Sequence, residues 1–264
     1  MRGFWFKGKG WLSMEEKKKR EKDCLDIAIK KIDQLHRCKI KYETEAPDFI
    51  LVDGESIIGI EHFLVDTLLC KQTTKQGGHM LGSVSRKSEK QAHDIYGRYC
   101  YGRINKNEEK AVTEICELIN CTLSHMNEFK CDEYEDNFLK IFKKHLQKIP
   151  NYKMKHNELE QFGFLCEIQI GANKLVWKVF SNHRWHKQRI SGIPMTKRVW
   201  DEIKRAFNTS DLDFICFVVY FLNDKEHASA VYYDKNSNPK LYESFKYTIT
   251  GYDTNIELQL AERN

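Results

Sequence analysis

A hairpin pattern near the start of the chain constrains the fold more than any other feature. Two β-rich runs, residues 48–52 and 56–61, flank an Asp-Gly dipeptide at 53–54. This dipeptide is typical of a two-residue hairpin turn, because both turn positions need positive φ. A turn centred there places Asp48 opposite Gly59 and predicts two antiparallel strands in that register.

The same register brings two acidic side chains onto one face of the hairpin. Glu61 lies two residues beyond Gly59, so we expect it to be a diagonal neighbour of Asp48, about 7–8 Å away. Gly59 has no side chain and leaves room between them. Two carboxylates on an apolar hairpin repel each other and lose hydration unless a cation joins them. Carboxylate oxygens suit Mg²⁺, so the pair predicts a Mg²⁺ site, with Mn²⁺ as a substitute ion.

This pattern resembles the PD-(D/E)xK nuclease superfamily, in which an Asp opens one strand and Glu-x-Lys closes the next. Pro47-Asp48 and Glu61 stand at the matching positions, and the surrounding runs are similar to those of microbial members. Phe63 stands where the family has Lys. The resemblance implies a metal-dependent nuclease acting on DNA, in which Asp48, Glu61 and a backbone carbonyl near His62 hold the ion.

Two further groups are candidates for the site. In the resembled superfamily a helix after the acidic hairpin often places a Lys near the scissile phosphate, and Lys144 and Lys148 are the candidates here. A solvated basic helix face is the alternative. Glu167 and Gln169 share one face of a predicted central strand, where polar side chains require partners. We expect them to complete the metal shell, with Gln169 doing part of the missing lysine's work; bonding to a neighbouring backbone is the alternative.

Two basic stretches interleaved with aromatic residues, 71–107 and 181–189, suit a nucleic-acid backbone with stacked bases. An ordinary solvated insertion is the alternative for the first stretch. His183 and His186 lack a nearby Cys pair, which argues against a zinc-based hydrolase. The candidate nucleic-acid-binding residues are Lys71, Lys75, Arg86, Lys87, Arg98, Arg103, Arg184, Lys187 and Arg189.

The order of the predicted elements indicates an α/β fold. With residues 67–155 treated as a mainly helical insertion, segments 14–66 and 156–264 give helix, hairpin, strand, helix and strand. That order agrees with the restriction-endonuclease-like αβββαβ core of the resembled superfamily, a mixed central sheet flanked by helices. We therefore predict a single nuclease-like domain over 1–264.

Composition narrows the class of protein. The 264 residues are 41% hydrophobic and 31% charged with a net charge of +5, which permits a polyanionic partner. Nine cysteines without a CxxC pair, and no secretory leader, indicate reduced thiols in the cytoplasm. We expect no membrane span, and a homodimer stays open. Residues 1–13 are either an incidental leader before a natural start at Met14 or a basic-aromatic arm that contacts a partner.

These observations leave two functions of different classes. The first is a nuclease that hydrolyses phosphodiester bonds. The second is a nuclease-fold module without catalytic activity that binds nucleic acid or a protein, since Phe63 cannot do a lysine's work.

Overall fold

A computed structural model describes most of the chain. The described residues are 14–44, 46–66, 69–70, 79–80, 128–170, 176–190, 192–221 and 224–248. The chain divides into two compact units. One unit consists of Met1–Lys19, Leu68–Glu128 and Thr248–Asn264. The other, here called the core unit, consists of Arg20–Thr67 and Phe129–Tyr247.

The core unit is a mixed α/β structure with a mixed central sheet, as predicted. Six strands form the sheet in the order β1-β2-β3-β7-β11-β12. They are β1 (Lys39–Glu43), β2 (Phe49–Asp53), β3 (Ser56–Asp66), β7 (Gln161–Ile170), β11 (Phe214–Phe221) and β12 (Asp224–Asp234). Strands β1 to β3 are antiparallel, β3, β7 and β11 run parallel, and β12 returns antiparallel.

The remaining described elements are four α-helices, a short 3₁₀ helix and smaller sheets. The helices are α1 (Met14–Lys31), a 3₁₀ turn (Asp33–Leu35), α2 (Cys131–Leu146), α3 (Ile149–Lys155) and α4 (Lys197–Thr209). The sheets are β4 (Leu69–Cys70) with β5 (His79–Met80), β10 (Met195–Thr196) with β13 (Leu241–Tyr242), and β6 (Glu128–Lys130), β14 (Ser244–Thr248), β8 (Val176–Ser181) and β9 (Arg184–Arg189). No described helix is both long and apolar enough to cross a membrane.

The central sheet is covered on both faces, which explains why β11 is apolar throughout. On one face, α1 packs Cys24, Leu25 and Ala28 into a buried aliphatic cluster with residues of β2, β3, β7 and β11. On the other face, aromatic rings of α2 stack against the sheet, as Phe138 does on Phe217 at 5.7 Å between ring centroids. The two faces therefore have separate cores.

The hairpin turn lies one residue later than predicted. Asp53 pairs with Ser56 and Ile50 pairs with Gly59, so the loop is Gly54-Glu55, and Gly54 supplies the positive φ of 63°. The prediction that Gly59 leaves open space is wrong. A Cβ at Gly59 would lie 2.9 Å from a methyl carbon of Leu159, so the position is filled by close packing.

Two other predictions change in the structure. Residues 129–155, predicted to belong to the insertion, lie in the core unit. The predicted loop 181–189 forms a hairpin, because Asn182 and His183 adopt positive φ and let β9 pair with β8. Residues 81–127 of the predicted insertion lie outside the described residues.

Candidate metal centre

Asp48 and Glu61 are directly opposed on the hairpin. Phe49 pairs with Ile60. Asp48 precedes Phe49 and Glu61 follows Ile60, so these two residues face each other across β2 and β3. The Asp48 Oδ2 atom accepts a hydrogen bond of 2.8 Å from the backbone N–H of His62, which fixes the carboxylate at the end of the pairing. The two acidic groups therefore share one face, as predicted, in a closer relation than the predicted diagonal.

Three side chains from the helical segment above the sheet converge on one oxygen of Glu61. The Tyr152 hydroxyl donates to Glu61 Oε1 at 2.8 Å and the Lys148 ammonium donates at 3.2 Å. His145 Nδ1 lies 2.8 Å from the same oxygen. His145 lies in α2, Lys148 in the following turn and Tyr152 in α3, and their spacing of three and four residues puts them on one side of this region.

The second oxygen of Glu61 has no such partner. Glu61 is 4% exposed, and within the described part of the chain its Oε2 atom is buried with no hydrogen-bond partner. A buried carboxylate oxygen without a donor costs free energy unless another cation or donor reaches it. The donor set, two carboxylates on one face with one unsatisfied oxygen, fits a hard divalent cation.

The pair is electrostatically strained. Burial, and after it the charge of Glu61, raises the pKa of Asp48 to about 7. Burial also acts to raise the pKa of Glu61, but the hydrogen bonds from His145 and Tyr152 and the charge of Lys148 outweigh it and lower the pKa. Glu61 is therefore ionised at neutral pH, whereas the pKa of Asp48 lies near neutrality.

Phe63, which stands where the resembled superfamily has Lys, is buried in the structure. Its side chain is 3% exposed and lies on the same face as Glu61, beneath α2. The Phe63 ring stacks on His145 with centroids 5.0 Å apart and meets the edge of Phe164 at 5.5 Å. Phe63 therefore supports the ring of His145 at Glu61, and the position is part of the aromatic core.

Glu167 lies on the opposite face of the sheet, so the expectation that it completes the metal shell with Asp48 and Glu61 is wrong. In the parallel register Glu167 pairs with Leu64, whereas Phe164 pairs with Glu61. Glu167 therefore shares its face with His62, whose Nε2 lies 2.7 Å from Glu167 Oε2. The side chain of its neighbour Gln169 lies outside the described part of the structure.

The Glu167 side chain belongs to a buried ionic network. The Tyr220 hydroxyl donates to Glu167 Oε1, and Arg20 Nε lies 3.5 Å from Oε2. Burial acts to raise the pKa of Glu167, but His62 outweighs it and lowers the pKa to about 2. Burial likewise acts to lower the pKa of His62, but its bonds to Cys24, Glu167 and Glu21 raise it well above the usual value.

Among the described residues, two side-chain groups that do not include Asp48 or Glu61 have donor types that could hold a metal. They are Cys24 with His62 and Glu167, and Cys131 with Asp132 and Glu135. In the first group the side chains already bond one another, and in the second Thr196 donates to Glu135. The first group is therefore held together without an ion, and in the second at least Glu135 has a protein donor.

The other candidate residues fall in three places. Lys148 reaches the site, whereas Lys144 is exposed on α2. Three candidate nucleic-acid contacts lie on β9, namely Arg184, Lys187 and Arg189. The remaining ones, Lys71, Lys75, Arg86, Lys87, Arg98 and Arg103, lie outside the described residues.

His145 and Tyr152 were missed by the sequence reasoning. Their only signal is that they stand three residues before and four residues after Lys148, which places all three on one helical side. Comparison with known proteins adds no name to this arrangement: no protein-family model, no curated protein and no solved structure matches the chain.

Proposed function

We propose that this protein is a metal-dependent nuclease that hydrolyses phosphodiester bonds, with DNA as its substrate. The observation that carries the proposal is the direct opposition of Asp48 and Glu61, with one buried Glu61 oxygen unsatisfied among the described residues. Asp48 and Glu61 are proposed to hold Mg²⁺, for which Mn²⁺ is a chemical substitute.

The order of elements supports the family assignment. Helix α1, strands β1 to β3, helices α2 and α3 and strand β7 occur in this order among the described elements, and β7 pairs parallel to β3. With α3 counted as an additional helix, this order agrees with the αβββαβ core that the resembled PD-(D/E)xK superfamily implies. We propose a restriction-endonuclease-like fold on this basis.

The bound ion supplies a water of lowered pKa and a positive charge beside the phosphoryl oxygens. The chain's own residues prepare that position. The backbone N–H of His62 orients Asp48, and the donors from His145, Lys148 and Tyr152 keep Glu61 ionised. The site therefore presents negative charge to a cation without a prior rearrangement of the hairpin.

Lys148 is proposed to replace the family's lysine. Its ammonium lies 3.2 Å from Glu61 Oε1, and the side chain is 40% exposed, so the same nitrogen also reaches a phosphate at the surface. A fixed cation at that place stabilises the charge that develops on the phosphoryl oxygens in the transition state. Phe63 then needs no catalytic role.

The ion site is tested with Asp48→Asn and Glu61→Gln, and Glu55→Gln on the exposed hairpin loop is the matched control. We expect Mg²⁺ or Mn²⁺ to support cleavage of DNA by the wild type and the control, and both site variants to lose about 100-fold or more. Millimolar Mg²⁺ should raise the melting temperature of the wild type and the control only. Wild-type protein that leaves DNA and RNA intact, or site variants that cut normally, would refute the catalytic proposal.

The role of Lys148 has its own matched pair. Lys148→Gln should lower kcat by about 100-fold, the usual effect of removing one transition-state donor, whereas Lys144→Gln on the exposed side of α2 should stay within about twofold. Equal rates in the two variants would remove Lys148 from the mechanism.

A second candidate function is a module that binds nucleic acid or a protein without catalysis. Phe63 favours it, because the motif lysine is replaced by a buried aromatic ring. This candidate predicts Mg²⁺ binding, seen as a rise in melting temperature, with no cleavage in any buffer.

A further inference from the structure

The β8–β9 hairpin concentrates positive charge on a stretch of chain that takes no part in the candidate metal centre. Residues 176–190 carry four permanent cations and no Asp or Glu. Within the described part of the chain these cations, Lys178, Arg184, Lys187 and Arg189, have no carboxylate at ion-pair distance. The hairpin is thus an uncompensated basic surface.

The lysines are arranged in a way that the fold itself does not favour. Lys187 of β9 pairs directly with Lys178 of β8. Like charges directly opposed across strands destabilise a sheet. An anion that lies across such a pair would offset this repulsion.

The lysine pair shares its face with an exposed aromatic ring. Because side chains alternate along a strand, Trp185, Lys187 and Arg189 project to the same side of β9, where Lys178 also projects. Trp185 is 46% exposed and packs on Phe180 at 5.3 Å between ring centroids. This surface is called the Trp185 face below.

We infer that the Trp185 face binds single-stranded nucleic acid, with Trp185 stacking on a base and Lys178, Lys187 and Arg189 contacting phosphates. Proteins that bind single strands combine a basic surface with aromatic platforms. A duplex hides the faces of its bases and gives an exposed ring nothing to stack on. The inference rests on the proposed function for the class of polymer, and it adds the strandedness and the contact residues.

Arg184 separates this inference from a general attraction of basic charge. Arg184 precedes Trp185 and therefore projects to the other side of β9. It is as exposed as its neighbours and carries the same charge as Lys187. The structure thus provides a charge-matched control on the same strand.

The test measures the binding of a fluorescent oligothymidine of about 20 nucleotides by anisotropy, with chelator present so that nothing is cut. Trp185→Ala should raise Kd by about tenfold with an unchanged salt dependence. Lys187→Gln should raise Kd and lower the slope of log Kd against log salt by about 0.7. Arg184→Gln should leave both quantities close to wild type. Circular dichroism and melting temperatures show whether each variant is folded.

Several results would overturn the inference. If Arg184→Gln and Lys187→Gln lose the same affinity, binding depends on net charge and not on the Trp185 face. Duplex DNA bound as tightly as the single strand, with Trp185→Ala silent, would point to backbone contact alone. If no variant alters binding, the lysines serve only to protect an edge strand from pairing with other chains.

The same assay separates this inference from the proposed function. Asp48→Asn removes a proposed metal ligand but does not alter the β8–β9 hairpin. With chelator present, this variant should therefore bind the oligonucleotide as the wild type does. If the wild type binds the oligonucleotide but cuts nothing, the nuclease proposal is refuted and the inference about the Trp185 face stands. If Trp185→Ala and Lys187→Gln change neither cleavage nor Kd, the inference about the Trp185 face is refuted and the nuclease proposal stands.

Discussion

The two faces of the central sheet each bury a glutamate, and the two are satisfied in different ways. Glu167 is fully buried and is surrounded by His62, Arg20 and Tyr220, so both of its oxygens have donors or counter-charges. Glu61 receives its donors on one oxygen only, and a second carboxylate, Asp48, stands opposite it. Glu167 completes a buried network, whereas Glu61 keeps one oxygen as a possible ligand for a metal ion.

The difference follows from the position of His62 between the two sites. Its ring lies on the Glu167 face and its backbone N–H holds Asp48 on the Glu61 face. Strand alternation makes this arrangement unavoidable, because neighbours on a strand point to opposite faces. The buried network thus anchors the strand segment that carries the candidate metal centre, and the two faces should respond with opposite signs to the removal of a carboxylate.

The largest expected effect is on the Glu167 face. Glu167→Gln removes the closest counter-charge of the buried His62 imidazolium and of Arg20, with Glu21 3.7 Å from His62 Nδ1, and we expect it to lower the free energy of unfolding by about 3 kcal/mol or more. Urea unfolding near neutral pH measures this change. Glu243→Gln, at an exposed position, is the control and should change the free energy by less than about 0.5 kcal/mol. A loss no larger than the control's would mean that the network does not hold the sheet together.

The opposite sign is expected on the Glu61 face. The pKa of Asp48 is raised to about 7 in the fold from a usual value of 3.8, so the ionised form is disfavoured in the folded protein. Asp48→Asn should therefore increase the free energy of unfolding by about 2 kcal/mol at about pH 8, while cleavage is lost. The gain should vanish below about pH 3, where the carboxyl is protonated in both the folded and the unfolded state.

The sign of this pH dependence distinguishes the pair from an ordinary surface carboxylate. Asp48 contributes its stabilisation below the unfolded pKa and loses it as the pH rises through about 7. An Asp48→Asn variant that is less stable than the wild type at about pH 8 would show that Asp48 is well solvated or already paired. The comparison between the two faces would then fail.

Much of this comparison could be predicted from the sequence, and the missing part is long-range. The Asp-Gly hairpin and the spacing of Asp48 and Glu61 are local patterns, and both carboxylates lie on the predicted face. The face of Glu167 depends on the stagger between β3 and β7, which about 100 residues of intervening chain do not reveal in any local period. His145 and Tyr152 reach Glu61 only through the placement of α2 and α3 on the sheet.

Mg²⁺ should act on one face only, and more strongly at higher pH. Binding must displace the proton of Asp48, whose pKa is about 7, so the rise in melting temperature with millimolar Mg²⁺ should be larger at about pH 8 than at about pH 5.5. Asp48→Asn should abolish the rise at both values. The destabilised Glu167→Gln variant should retain the rise wherever it is folded. A rise that is lost in Glu167→Gln and kept in Asp48→Asn would assign the ion to the other face.

The smallest expected effect concerns a single hydrogen bond of Glu61. Tyr152→Phe removes the hydroxyl that donates to Oε1 at 2.8 Å and should cost about 1 kcal/mol of the free energy of unfolding. It should also raise the pKa of Glu61, because one of the bonds that lower that pKa is lost, and so move the acidic limb of the cleavage profile to higher pH.

Tyr42→Phe is the matched control, since the Tyr42 hydroxyl also donates to a glutamate, Glu158, but at the surface. A displaced acidic limb in Tyr152→Phe alone would link the helical donors to the charge of the metal site, whereas equal behaviour of the two variants would reduce Tyr152 to a packing residue.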